Sequence, residues 1–298
     1  METQVYKTPL LTKKLLDQYR KEAEAFQREH GRKPCLAVVL VGTDPASAIY
    51  VQKKEETCRA TGLDALDVHL DPSVGFAKLK ETVAELNERE DVDGILVQSP
   101  LPQGWDERLI QRMIHPAKDV DGFHPENAGR LFIDANECLA NGLPPCTPAG
   151  VMEVLKEAGI DVAGKHAVII GRSTIVGKPM AQMLLAADAT VTIAHSRTPK
   201  LPQLCRTADI LVAAVGRARF VTADFVKAGA TVIDVGITRE ESADGKAHVV
   251  GDVHRQDMEG LAGFLTPVPG GIGPMTIVML IRNTIRAARR LKSESPKI

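Results

Sequence analysis

Tyr50, Lys54, Gln98 and Asp121 carry the chemistry that this sequence can offer. Tyr50 and Lys54 stand one turn apart in a segment that reads as a helix from about Pro45 to Ala60, so both project from one face. A phenol beside an ammonium can position a proton-transfer system, particularly where burial brings the lysine pKa down towards neutrality. Taken alone, Tyr-x-x-x-Lys is an ordinary pattern of a solvated helix. Two further segments give it weight, because both fall at the carboxyl ends of strands or in the loops after them, where open α/β sheets place their ligands. In one, Gln98 leaves the short buried strand Gly94 to Val97 with an amide that donates and accepts at once. In the other, Lys118-Asp119-Val120-Asp121-Gly122-Phe123, a carboxylate beside a glycine turn could accept paired N–H donors from a heterocycle, although an Asp-Gly turn is also a common structural device.

A second constellation is Gly171-Arg172-Ser173-Thr174-Ile175-Val176-Gly177, between the apolar strand His166 to Ile170 and a helix from about Pro179 to Ala187. Backbone N–H groups at such a helix start can receive a pyrophosphate. The turn is not a G-x-G-x-x-G match, since Ser173 holds the second glycine position, and a tight turn that binds nothing is the alternative. At the end of the next strand an NAD enzyme carries an acidic residue for the ribose 2′-hydroxyl, but this chain reads His195-Ser196-Arg197. That replacement favours NADP. Arg172 and Arg197 can make charge-assisted contacts to a 2′-phosphate, with Ser173 and Ser196 as neutral donors, though either arginine singly could face solvent.

These groups need a frame. Strand and helix patterns alternate from Thr12 onward: helices near Thr12 to Glu29 and Gly75 to Glu90, and strands near Cys35 to Val41, Leu63 to Leu70 and Gly94 to Val97. Helical patterns follow around Asp106 to Ile114 and Pro125 to Leu131, then a loop from Asn141 to Pro148 and a helix near Ala149 to Ala158. Strands restart at His166 to Ile170, Thr190 to Ala194, Asp209 to Val215 and Thr231 to Val235, the rhythm of a dinucleotide-binding fold. The last helix, about Pro274 to Lys292, places Ile277, Ile281, Ile285 and Ala288 on one face, and its basic residues Arg286, Arg289, Arg290 and Lys292 read as solvent-exposed. The expected architecture is a two-domain α/β chain: an N-terminal three-layer lobe over residues 1–146, completed by the helix 275–298, and a Rossmann-type NADP-binding domain over 147–274, with a cleft between them.

Composition agrees with small-molecule chemistry. With 298 residues there is room for two domains. Lys+Arg and Asp+Glu number 37 and 38 and aromatics make up only 4%, so a nucleic-acid surface has little support. The cysteines Cys35, Cys58, Cys138, Cys146 and Cys205 include no C-x-x-C pair, which argues against a disulfide framework and a zinc site, and no metal site is expected. The polar start after Met1 lacks a signal-peptide pattern and no apolar run approaches a membrane span, so the expected compartment is the cytoplasm.

Taken together, Gly42-Thr43-Asp44-Pro45-Ala46-Ser47 with Tyr50-Val51 and Lys54, Val97-Gln98 with Pro100-Leu101-Pro102, and Lys118 to Phe123 resemble the methylenetetrahydrofolate dehydrogenase/cyclohydrolase family. Pro145-Cys146-Thr147-Pro148, the Gly171 turn with Pro179, and Thr266 to Thr276 agree, in order along nearly the whole chain. One departure is Ser99, where the family usually carries leucine. The resemblance implies NADP-linked oxidation of 5,10-methylenetetrahydrofolate to the methenyl cation, then hydrolysis to 10-formyltetrahydrofolate, in one-carbon metabolism that feeds purine biosynthesis. It implies Lys54 as the proton carrier of hydrolysis, Gln98 tuning it, Tyr50 orienting the substrate, and Asp121 holding the pterin edge, with Val97, Pro100, Pro269, Gly270 and Gly271 as further substrate contacts. On the cofactor side it adds Ile175, Gly236 and Ile237, and Thr276 as a donor at a helix start. It also suggests a homodimer. His124, His195 and Asp252 read as structural. A monofunctional dehydrogenase without hydrolysis, an unrelated NADP dehydrogenase of similar build and a non-enzymatic NADP-binding module are the competing readings.

The coenzyme reading has a direct consequence. Arg172→Ala should raise the KM for NADP by roughly 10- to 150-fold, the size of a lost charge-assisted contact, and that for NAD far less. Steady-state kinetics with both coenzymes measures this, and equal changes would assign Arg172 to the shared pyrophosphate or to folding.

Overall fold

The computed structural model describes residues 2–241 and 247–294. Its strands are, in chain order, β1 (Gln4–Val5), β2 (Cys35–Val41), β3 (Asp64–Leu70), β4 (Gly94–Val97), β5 (His166–Ile170), β6 (Thr190–Ala194), β7 (Ile210–Ala213), β8 (Thr231–Asp234), β9 (Thr238–Glu241), β10 (Ala247–Val250) and β11 (Phe264–Thr266). The chain divides into two compact units. One comprises Lys14–Ile133, Glu137–Cys146 and the C-terminal residues from Ile277; the other comprises the N-terminal residues through Lys13, Asp134–Asn136 and Thr147–Thr276.

The first unit is built on a parallel sheet in the order β3-β2-β4, extended by a parallel bridge between Ile95 and Asp119. Every residue of β2 is buried, as a central strand covered on both faces requires. Ala37, Val39 and Val41 share one apolar cluster with Leu79, Val83 and Leu86 of the helix Gly75–Glu88 and with Ile110 of the helix Glu107–Met113. A buried carboxylate ties the strand starts together. Asp93, wholly buried, accepts from both terminal nitrogens of Arg32 at 2.7 Å and from the Cys35 amide at 2.8 Å.

The helix Ile272–Glu294 carries more burial than a single apolar stripe. Val278, Met279, Leu280, Ile281, Arg282, Asn283, Thr284 and Ile285 are all buried, whereas Ile277 is only half-buried. Polar groups inside such a helix need partners: Asn283 and Thr284 donate to main-chain carbonyls. Arg286 departs from the expected solvated tail, because its guanidinium donates to Leu139 O (2.9 Å) and Gly142 O (3.3 Å) at the end of the helix Ala135–Asn141.

In the second unit six parallel strands run β1-β11-β8-β7-β5-β6. The chain passes from β5 outward to β6 and returns to β7 on the opposite side of β5, so strand order reverses between β5 and β7. In open α/β sheets that reversal is where ligands bind. Beside the sheet, β9 and β10 form an antiparallel pair.

Two expectations are corrected. The first thirteen residues do not belong with the N-terminal lobe: Gln4 and Val5 pair with Phe264 and Leu265, and Thr8 donates from its amide to Gly270 O at 3.0 Å. Nor is Asn141 to Pro148 one loop, since a helix ends at Asn141 and the next, Cys146–Glu157, starts early with Pro148 in its first turn, where a missing N–H costs nothing. The five cysteines are all free and buried, and among the described residues no helix is long and apolar enough to cross a membrane.

The Asp93 clamp is testable. Arg32→Ala leaves a buried carboxylate without its cation, and chemical denaturation should show a loss of about 3 kcal/mol, typical of a broken buried pair; unchanged stability would mean that Asp93 is held by the Cys35 amide alone.

Candidate functional site

In the first unit the site begins at a helix cap. Asp44 accepts the Ser47 amide at 2.7 Å and Pro45 enters the first turn, which sets the start of the helix Pro45–Ala60. That start places exposed Tyr50 and half-buried Lys54 one turn apart. Where β4 ends, the Gln98 amide N–H still donates to Val39 O at 2.8 Å, so the backbone there is held on β2. The Gln98 side chain is oriented by two bonds: its nitrogen donates to Ser99 O at 2.6 Å and its oxygen accepts from Lys54 Nζ at 2.8 Å. Val97 is half-buried, Pro100 is exposed, and the Ser99–Pro100 peptide is cis.

Burial lowers the Lys54 pKa below that of an ordinary lysine, and the Asp121 carboxylate is the strongest influence opposing it. Asp121 is in turn pushed up to about 6, by burial first, against the pull of Lys54 and with a contribution from Asp119. Desolvation therefore outweighs mutual attraction at both groups. The result is an amine that loses its proton more readily than an ordinary lysine, coupled to a carboxyl that holds its proton more tightly than an ordinary aspartate.

The segment bearing Asp121 is anchored by neighbours whose roles sequence patterns do not reveal. Lys118, its pKa lowered by burial, donates to Leu86 O (3.2 Å), Asn87 O (2.7 Å) and Arg89 O (2.7 Å) where the helix Gly75–Glu88 ends. Asp119 is buried and accepts the His124 amide and Asn127 Nδ2, each at 2.8 Å. The only hint in the sequence is that both flank Asp121 in one charged run.

In the second unit Gly171 follows β5 with φ +129°, and a side chain there would meet Ala214 O at 2.2 Å, so the turn passes directly against the end of β7 at the strand-order reversal. The Ser173 hydroxyl accepts the amides of Val176 (3.1 Å) and Gly177 (3.2 Å), capping the helix Gly177–Ala186 and keeping its hydrogen free to donate outward. Arg172 and Ile175 are exposed on this turn. After β6, His195 accepts the Arg197 amide on Nδ1 at 3.1 Å and donates its own amide to Thr198 Oγ1 at 2.9 Å, shaping a turn that leaves Ser196 and Arg197 exposed. These features fit a dinucleotide with a phosphate on its ribose: close backbone approach, a helix N-terminus and two exposed guanidiniums at the carboxyl ends of adjacent strands.

Gly236 and Ile237 follow β8, with Ile237 exposed and Gly236 pressed on the Asp252 carboxylate. Asp252 accepts the amides of Val215 (2.6 Å), Gly216 (3.0 Å) and Arg217 (2.8 Å), and so organises the loop after β7. Asp234, pushed up to about 7 chiefly by burial, accepts the amides of Gly236 (3.0 Å), Asp252 (2.9 Å) and Val253 (3.0 Å). Pro269, Gly270 and Gly271 lie after β11 in this unit, where the Thr8 hydroxyl donates to Gly271 O at 2.8 Å. Thr276 pairs its hydroxyl with that of Thr147 at 2.9 Å. Among the described residues no cluster of three His, Cys, Asp or Glu side chains could hold a metal ion.

The charge coupling predicts a direction. Asp121→Asn removes the strongest influence raising Lys54, so the lysine should titrate at still lower pH, as read from its 13Cε NMR shift against pH; an upward move would contradict the assigned coupling.

The chain matches the model of the tetrahydrofolate dehydrogenase/cyclohydrolase catalytic domain over residues 8–121 and that of the family's NAD(P)-binding domain over 145–292. It is 50% identical to the "Bifunctional protein FolD" of Zymomonas mobilis over 287 residues, 94% of this chain and 95% of that one. Among solved structures, the bifunctional dehydrogenase/cyclohydrolase of Campylobacter jejuni superposes with a TM-score of 0.90 at 42% identity, covering 97% of this chain and 99% of that one. The Trypanosoma brucei methylenetetrahydrofolate dehydrogenase-cyclohydrolase, complexed with NADP and an inhibitor, gives 0.92 at 35%, covering 99% and 100%. A chain that satisfies both domain models and matches these relatives over nearly its full length belongs to the tetrahydrofolate dehydrogenase/cyclohydrolase family.

Proposed function

We propose that this protein oxidises 5,10-methylenetetrahydrofolate to the 5,10-methenyl cation with NADP as hydride acceptor and hydrolyses that cation to 10-formyltetrahydrofolate. The observation that carries the reading is the Lys54–Gln98 hydrogen bond at 2.8 Å, with Lys54 and Asp121 both shifted towards neutral pH by burial.

Oxidation asks little acid–base chemistry of the protein. The substrate nitrogens stabilise the developing cation, so the chain must bind and align the reacting carbon. Asp121 accepts N–H donors of the pterin edge, Tyr50 orients the ring, and Val97, Pro100, Pro269, Gly270 and Gly271 complete the surroundings of the substrate. Gly171, Ser173, Ile175, Gly236, Ile237 and Thr276 would hold NADP, which supplies two-electron acceptance when bound. Arg172, Ser196 and Arg197 would hold its 2′-phosphate.

Hydrolysis asks more. As water adds to the amidinium-like carbon it loses a proton, which the neutral Lys54 amine takes; as the ring C–N bond opens, the resulting ammonium returns a proton to the departing nitrogen. The remaining hydroxyl proton of the adduct leaves to solvent as its C–O bond becomes the formyl carbonyl, so one proton is released overall. Lowering the lysine pKa raises the fraction of neutral amine at any given pH, and the Gln98 carbonyl directs the amine while leaving it free to accept. The same reading makes the protein a cytosolic homodimer whose product supplies formyl groups for purine biosynthesis.

Lys54→Met keeps the length of the side chain and removes its titratable amine. Methenyl hydrolysis should fall by about 100-fold or more, the usual contribution of a general acid or base, and dehydrogenase activity by less. Near wild-type hydrolysis by the folded variant would remove Lys54 from the mechanism, and loss of both activities together with folate binding would make it a positioning residue.

A further inference from the structure

Asp121 has a demanding position: among the described residues no hydrogen bond holds its carboxyl, so its direction is set by the backbone that carries it. That backbone is gripped from an unexpected quarter. Asn283, wholly buried on the C-terminal helix, donates from Nδ2 to Val120 O at 2.8 Å and to Pro144 O at 2.9 Å, bridging the residue before Asp121 to the segment before the helix Cys146–Glu157. The Cys146 thiol also donates to Val120 O, at 3.3 Å. On the other side of Asp121, Gly122 lies so close to this segment that a side chain would meet Leu143 O at 2.5 Å and Pro145 N at 2.7 Å.

We propose that Asn283 is a positioning residue for folate recognition, its single amide locking the Val120–Gly122 turn to the 143–146 segment so that the Asp121 carboxyl is presented in one direction. A buried amide costs free energy unless its hydrogen bonds are made; Arg282 and Thr284 beside it are buried too, but Met279, Leu280, Ile281 and Ile285 of the same helix are apolar, and an apolar side chain at 283 would avoid that cost. An amide that spans two carbonyls of different segments fixes a register that apolar contact leaves free to slide. This inference rests on the proposed role of Asp121 as the group that receives the pterin.

The test is a double-mutant cycle with 5,10-methylenetetrahydrofolate as the varied substrate at saturating NADP. Asn283→Leu, which keeps the number and branching of side-chain heavy atoms and removes both donors, should raise the folate KM about tenfold with little change in kcat and none in the KM for NADP. Asn283→Ser, which can serve one carbonyl, should fall between it and the wild type. In an Asp121→Ala background, Asn283→Leu should add less than twofold, because the group it positions is already gone. An unchanged folate KM in the folded Asn283→Leu protein overturns the proposal, as does a full tenfold effect that persists without Asp121. Failure of both Asn283 variants to fold would also overturn it, by assigning the residue to stability. If Asp121→Ala alone leaves the folate KM unchanged, it is the reading of Asp121 that fails.

Discussion

Removing the Lys54 ammonium from water disfavours its charged form, and the first unit supplies only partial compensation: one amide oxygen at 2.8 Å and one carboxyl that is itself desolvated. Full compensation would make an ordinary ion pair, charged at both ends and chemically idle. Partial compensation leaves an amine that gives up its proton more readily than a free lysine and a carboxyl that keeps its proton more readily than a free aspartate. The surrounding structure has to hold this imbalance, since an added water or a rotated amide would relax it. The bond from Gln98 Nε2 to Ser99 O keeps the amide oxygen directed at Lys54, and the Asp44 cap fixes where the helix carrying Lys54 begins.

Both units hold their reactive loops by the same physical device. Loops at the carboxyl ends of parallel strands have main-chain groups that no sheet partner satisfies, and buried polar side chains take them over. In the first unit Lys118 gathers three carbonyls at a helix end and Asp119 collects the His124 amide beside Asn127. In the second, Asp252 collects three amides after β7 while Asp234 collects three more around Gly236. Each such group costs desolvation, and each removes freedom from a loop that would otherwise have several conformations. The raised pKa of Asp234, at about 7, is the visible trace of that cost.

Local pattern made the buried strands β2, β4 and β5 legible, because they are apolar runs bounded by turn residues and their limits follow directly from the sequence. The candidate side chains were legible for mixed reasons: Gln98 leaves such a run, Lys54 lies on the helix that follows one, and Asp121 stands beside a glycine turn in a charged segment. What local pattern does not carry is pairing across long separations. β1 has two residues and β11 three, too short for any periodicity, and they find each other across most of the chain. Asn283 and Arg286 read as polar positions on an amphipathic helix, and only the packing of that helix against residues 120–146 turns them into hydrogen-bond donors to specific carbonyls. Asp234, Asp252 and Lys118 belong to the same class, their partners set by tertiary structure.

In the proposed mechanism a lysine brought down in pKa by burial carries the proton in hydrolysis and is not needed for hydride loss. The most direct measurement is the pH dependence of kcat/KM for both activities of the wild-type protein, with the uncatalysed hydrolysis of the methenyl compound subtracted. Hydrolysis should show an enzyme ionisation below the ~10.4 of a free lysine, and oxidation should lack it. Superimposable profiles for the two activities, or a hydrolysis profile without an ionisation below that of free lysine, would contradict it.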